Sequence, residues 1–182
     1  MEVQDRGSDF KFPAFYSFPP SFTRQPIPAT REKQIRLWGD LIRDYCQHYR
    51  IFWLDVAQAA ASPLFNNQAV SRRLSLEDAR FFLGELVSRG DAEWDQNQQR
   101  CLIYWRRPAE WGGLIYDWVE SVGRNGTVMT VYEIRLGEET KGEEFFNLEL
   151  ELTLKALADL EVTGKAAVFG TERSDQLGVK FL

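Results

Sequence analysis

Apolar positions recur along this chain at one fixed separation. Leu37 matches Trp111 (111 − 37 = 74), and the same shift takes Leu41 to Ile115, Tyr45 to Val119 and Leu54 to Val128. It also takes Leu83 to Leu157, Leu86 to Leu160, Ala92 to Ala166 and Trp94 to Val168, with no gap needed. The matches run through segments of different period, 3.6 for helices and 2 for strands, so coincidence within one helix does not explain them. The chain therefore reads as two copies of one folding unit.

Each copy shows the same series of elements. In the first, Thr30 is placed to cap a helix over Arg31–Tyr49 with Ile35, Trp38, Ile42 and Tyr45 at helical spacing. Ile51–Val56 is short and β-prone, and Pro63-Leu64-Phe65-Asn66-Asn67 begins a second short helix or turn. Ser75, with Asp78 at the third helical position, caps a third helix that ends at Gly90. Ala92–Trp94 and Cys101–Trp105 make a hairpin. In the second copy Pro108 starts a helix carrying Trp111, Leu114, Ile115, Trp118 and Val119 as far as Gly123. A strand over Thr127–Thr130, a short helix over Val131–Leu136, a third helix over Glu149–Val162 and a hairpin of Lys165–Phe169 with Gly178–Leu182 follow. Helix, strand, helix, helix, hairpin is a winged-helix arrangement. The expected fold class is mostly α with small β hairpins (α+β): two tandem winged-helix domains, 30–107 and 108–182, behind an extended segment, 1–29.

That segment contains Phe10–Thr23, FKFPAFYSFPPSFT, with six aromatics and three prolines. Pro13, Pro19 and Pro20 lack amide donors and push the residues before them toward extended geometry, so helix and central strand are both disfavoured. A stiffened segment loses little entropy on docking, and aromatics anchor interfaces. The expectation is an arm that its own chain cannot bury and that seats on a partner; the competing reading is that it folds back on its own body. Changing Pro20 and Phe22 together to alanine is expected to leave a folded chain that no longer assembles. The prolines do not give the P-x-x-P spacing of SH3-type ligands.

Charge is unevenly spread within a net of −5. Residues 1–29 carry three basic and three acidic side chains, 30–107 carry 12 and 10, and 108–182 carry 7 and 14. The last value, a net of −7, favours basic partners and disfavours nucleic acid or anionic lipid. The third helices, where a winged helix would read a major groove, are acidic: Glu77, Asp78 and Glu85 against Arg80 and Arg89, then Glu149, Glu151, Asp159 and Glu161 against Lys155. Catalytic, cofactor and metal sites are expected to be absent, since His48 is a lone histidine and no hydrolase elbow or Cys/His ligand spacing occurs. The string Gly137–Glu144 reads as a solvated loop without calcium-site alternation. Cys46 and Cys101 read as buried reduced thiols. No apolar run reaches a membrane-spanning length, and MEVQDRGSDF lacks the pattern of a secretory signal, so a cytosolic location is expected.

The chain resembles the small-subunit family of the ESCRT-II endosomal sorting complex, the vacuolar protein sorting-associated protein 25 family. The strings that carry the resemblance are Phe18-Pro19-Pro20-Ser21-Phe22-Thr23, Ser62-Pro63-Leu64-Phe65-Asn66-Asn67, Trp105–Gly112, Leu114–Val119 and Gly178-Val179-Lys180-Phe181. The resemblance implies a non-catalytic protein, present in two copies beside one copy each of two larger winged-helix subunits. It implies that a P-P-x-[FY] segment docks onto those subunits, here through Pro19, Pro20 and Phe22, with Phe18 and Tyr16 adding apolar contact. The upstream Phe12–Tyr16 stretch has one proline where some relatives carry a second copy of the motif. The second winged helix is implied to recruit the nucleating ESCRT-III subunit, through a surface not assignable by residue within 108–182. The implied role is sorting of ubiquitinated cargo into multivesicular bodies, on endosomal membranes reached indirectly. The alternative is a nuclear winged-helix protein associated with transcription or DNA.

Overall fold

The computed structural model describes residues 10–182, so the acidic start of the chain lies outside the described residues. The chain divides into two compact units between Trp105 and Arg106.

In the first unit, α1 spans Pro28–Tyr49. Pro28 stands at the first helical position, where a missing amide is no loss, and Ile27 occupies the cap. The helix thus starts ahead of Thr30, which is not its cap. Arg50, at φ 52°, ends it. After β1 (Trp53–Asp55), Asp55 caps α2 (Val56–Ala61) by accepting from the Gln58 amide at 2.9 Å. The second helix therefore precedes Pro63 and does not begin there. The Pro63–Phe65 stretch is a turn leading into a two-residue ladder of β2 (Asn66–Asn67) with β3 (Arg72–Arg73). Ser75 caps α3 (Leu76–Ser88), and its hydroxyl accepts from the Asp78 amide at 3.0 Å. β4 (Ala92–Trp94) and β5 (Arg100–Ile103) close an antiparallel sheet of order β1-β5-β4. Trp38, Ile42, Phe65, Phe82 and Leu83 fill the core between helices and sheet.

The second unit repeats the plan. α4 is Pro108–Ser121, with the Glu110 carboxylate accepting from the Arg107 amide at 2.7 Å. β6 (Val128–Thr130) runs into α5 (Val131–Leu136) through a Thr130/Glu133 capping box. α6 (Leu150–Val162) is capped by Glu149, and β7 (Ala166–Phe169) with β8 (Gly178–Phe181) completes a sheet of order β6-β8-β7.

The duplication holds, but not in one ungapped register. The buried set Trp38, Gly39, Ile42, Tyr45 and Cys46 corresponds to Trp111, Gly112, Ile115, Trp118 and Val119, an offset of 73 (111 − 38). Buried Leu54 corresponds to buried Met129, an offset of 75, whereas Val128 faces outward. Ala79, Phe82, Leu83 and Leu86 match Thr153, Ala156, Leu157 and Leu160 at 74. Cys101, opposite Leu54, matches Val179, opposite Met129, at 78. A helix buries a face more than 100° wide, so an alignment one residue out still finds apolar partners; a strand flips face on the same error.

The Gly137–Glu144 string is exposed as expected except at half-buried Gly137 and buried Thr140, and it forms a 3-10 turn over Glu138–Thr140; just beyond it Phe145 and Leu148 enter the core. Three of the string's acidic residues are paired: Glu138 with Lys141, Glu139 with Arg124, and Glu144 with Arg106.

Candidate partner-docking surface

The aromatic-proline segment is not one extended strand. Two 3-10 turns, Ala14–Ser17 and Pro19–Phe22, are joined by Phe18, which is extended (φ −97°, ψ 107°) as the residue before a proline should be. Each turn delivers one aromatic to the first unit's core, Tyr16 at 6% exposure and Phe22 at 3%. Phe22 meets Trp38 edge to face at 5.3 Å and Tyr16 at 5.6 Å between centroids; Phe15 also meets Trp38, at 5.2 Å. Phe12 stacks on Tyr16 at 4.0 Å. The expectation that the chain cannot bury this arm is corrected: the tight turns bring Tyr16 and Phe22 into the core, with Phe10, Phe12 and Phe15 packed against it.

Polar groups fix the backbone as well. Gln34, buried on α1, accepts from the Gln25 amide at 3.1 Å and donates to the carbonyls of Ser21 (3.0 Å) and Thr23 (2.8 Å). The Trp38 indole donates to Ser21 at 2.9 Å, and the Tyr16 hydroxyl donates to the Pro63 carbonyl. Arg24 pairs with Glu77 (2.9 Å) and Asp78 (3.3 Å) of α3 and lies 4.6 Å above the Phe81 ring. The acidic start of α3 is thereby engaged by the chain's own segment.

What remains outward is the crest between the two turns. Phe18 is 60% exposed, Pro20 is exposed and Pro19 half-buried. Phe18 and Pro20 form one wall of a groove of about 230 Å³ whose other wall is α1, with Thr30, Lys33 and Leu37. Of the five expected contact residues, the fold gathers Phe18, Pro19 and Pro20 on the surface and takes Tyr16 and Phe22 inside. Gln34, Trp38 and Asn67, which hold the segment, were not foreseen as its hosts. A polar Gln34 on the face that also bears Ile35 and Trp38 was the available signal.

The second unit presents a different surface. Gly178 lies between two exposed apolar residues: a β-carbon there would sit 3.7 Å from Val128 and 3.8 Å from Phe169. Val128 and Phe169 occupy the outer face of the β6-β8-β7 sheet, across from the buried Met129 and Val179. Lys180, opposite Val128 in the ladder, shares this outer face, and residues 108–182 as a whole carry 14 acidic against 7 basic side chains.

Among the described residues, no group of three or more His, Cys, Asp or Glu side chains is arranged to hold a metal. No helix among the described residues is long and apolar enough to cross a membrane. Cys46 and Cys101 are free and fully buried, and burial pushes both thiols up, Cys101 to about 12.

The ESCRT-II complex subunit family model matches residues 15–149 of this chain. The vacuolar protein-sorting-associated protein 25 of Danio rerio is 45% identical over 94% of this chain and 98% of its own length. This chain belongs to the VPS25 family of ESCRT-II subunits. The Arabidopsis thaliana member is 43% identical over 96% of this chain and 97% of its own length. In three dimensions the chain is similar to the crystal structure of subunit VPS25 of the endosomal trafficking complex ESCRT-II, with a TM-score of 0.81. Identity there is 29%, over 94% of this chain and 98% of that one. It is also similar to a chain of the ESCRT-II complex crystallised as VPS22/VPS25/VPS36, with a TM-score of 0.79 and 30% identity over 94% of this chain and 98% of that one. Tandem winged helices with short antiparallel sheets are the fold of this VPS25-family chain.

Proposed function

We propose that this chain is a non-catalytic adaptor: its first unit assembles with the two larger ESCRT-II subunits, VPS22 and VPS36 in the related complex, and its second unit engages the nucleating ESCRT-III subunit. Two copies per complex are expected. The process served is sorting of ubiquitinated cargo into multivesicular bodies, with the endosomal membrane reached through the partners. One observation carries the reading. A crest of exposed Phe18 and Pro20 about half-buried Pro19 stands on a segment anchored in the core by Tyr16 and Phe22, in a chain whose relatives are ESCRT-II subunits. Exposed aromatic and proline side chains on a rigid backbone lose little freedom on docking.

Co-expression with VPS22 and VPS36 from the same source, followed by size-exclusion chromatography, tests this. The full-length chain should co-elute with both. Phe18→Ala with Pro20→Ala should fold normally and weaken association at least ten-fold; unchanged affinity would refute the crest as the anchor.

For the second unit, where the side chains of residues 108–182 sum to a net charge of −7, the Val128–Phe169 strip is the proposed seat for a basic amphipathic helix, the amino-terminal helix of the ESCRT-III subunit. Titrating that helix as a peptide into the full chain should give binding that weakens with salt and is lost in Val128→Asp. Salt-independent binding, or binding that Val128→Asp leaves intact, would rule out this surface. The nuclear, DNA-associated alternative has less support, because α3 and α6 are both acidic and Arg24 covers the start of α3.

A further inference from the structure

We propose that Gln34 is a positioning residue for docking: its buried amide clamps the carbonyls of Ser21 and Thr23 and so sets the Phe18–Pro20 crest in the shape a partner receives. This rests on the proposed role of the crest.

Among the described residues, Gln34 is one of four buried polar side chains, at 4% exposure. Burying an amide is unfavourable unless its donors and acceptor are bonded. A methionine or leucine would fill the same space on α1 without that requirement. The amide makes three hydrogen bonds, and all three go to the backbone of the amino-terminal segment: the Ser21 and Thr23 carbonyls and the Gln25 amide. None serves α1 itself. The interactions therefore hold the carboxyl-terminal foot of the second 3-10 turn, while the Asn67 amide holds the other foot at the Tyr16 carbonyl. Between the two fixed feet the crest has little freedom left to lose, and ordering that is complete before binding does not subtract from affinity.

Two full-length variants separate positioning from bulk stability. Gln34→Met fills the site without polar groups; Gln34→Glu keeps an acceptor for the Gln25 amide and turns the two donors into an acceptor. Affinity for a purified VPS22–VPS36 pair is measured for each, alone and combined with Phe18→Ala and Pro20→Ala, with hydrogen exchange at the Gln25 amide followed in parallel. Gln34→Met, which removes the acceptor, should speed that exchange, and both variants should weaken binding about ten-fold on the native background. On the crest-deleted background it should change affinity no further, because the residue acts through the crest. Equal losses on both backgrounds would overturn the proposal in favour of general destabilisation. Unchanged affinity with a deprotected Gln25 amide would overturn it while leaving the crest's role intact. If the crest substitutions alone leave affinity unchanged, the docking role itself fails and this inference with it. Should Gln34→Met not fold, Gln34→Glu carries the same comparison.

Discussion

The side-chain amide of Asn67 donates to the carbonyl of Tyr16 at 2.7 Å, across 51 residues of sequence. The Tyr16 hydroxyl returns the contact by donating to the Pro63 carbonyl. The aromatic-proline string and the Ser62–Asn67 string, far apart in the chain, are therefore halves of one structural joint. Asn67 also accepts from the Ala69 amide at 3.1 Å, so its carbonyl is satisfied within its own turn while its amide reaches across.

The two faces of the segment should separate experimentally. Phe22→Ala deletes a core ring packed on Trp38 and should lower unfolding free energy by roughly 3–5 kcal/mol. Phe18→Ala, at an exposed site, should change it by no more than about 0.5 kcal/mol. Urea denaturation of the two variants measures the contrast. A combined Pro20 and Phe22 substitution therefore damages the fold as well as the surface, contrary to the expectation formed on the sequence.

Alkaline pH should loosen the same region. Burial, with Tyr45 nearby, raises the Tyr16 phenol from its ordinary 10.0 to about 12. The folded chain keeps that proton where the unfolded chain has lost it. The contribution is thus complete below pH 10 and is lost as pH rises from about 10 to about 12. Tyr16→Phe should flatten this part of the stability profile. It should also cost about 1 kcal/mol below pH 10, because the Pro63 carbonyl loses its donor. Thermal melts between pH 8 and pH 12 give both results.

Thiol chemistry offers a check on the first core. Cys46 and Cys101 are inaccessible and their thiols are pushed up, so a thiol reagent at pH 8 should modify neither in the folded chain and both once it is denatured. Rapid labelling of either under native conditions would contradict the packing described.

Neighbouring glycines on α4 should respond oppositely to alanine. A β-carbon at Gly112 would lie 2.9 Å from the Ala156 carbonyl and 3.3 Å from Leu160, so Gly112→Ala should force α4 from α6 and destabilise by roughly 1–3 kcal/mol. At Gly113 nothing lies within 4 Å, and Gly113→Ala should stabilise by up to about 1 kcal/mol through helix propensity. Denaturant midpoints of the two variants test the pair.

The legible parts of the fold were those whose signals are local. Ser75 with Asp78, Glu149 before an apolar run, and Pro108 at a helix start each mark their own element. Of the two readings at Pro63, short helix or turn, the turn holds; the α2 helix ahead of it is not legible because its signal is the single cap Asp55, and the following alanines have no apolar periodicity. The repeat was detectable because both units bury helical stripes; its true offsets were hidden because short length changes in the connections leave those stripes overlapping. For the docking surface, proline stiffness correctly marked Phe10–Thr23 as unusual. Which aromatics turn inward depends on the 3-10 turns and on Gln34, Trp38 and Asn67, whose proximity exists only after folding.

Because Tyr16 and Phe22 belong to the first core, the amino-terminal segment cannot be shortened as though it were an appendage. Removing residues up to 29 would strip Phe15 and Phe22 from beside Trp38 and leave the Gln34 amide facing solvent or a void. Such a truncation alters the foundation and the doorway together, and loss of assembly after it reports on both.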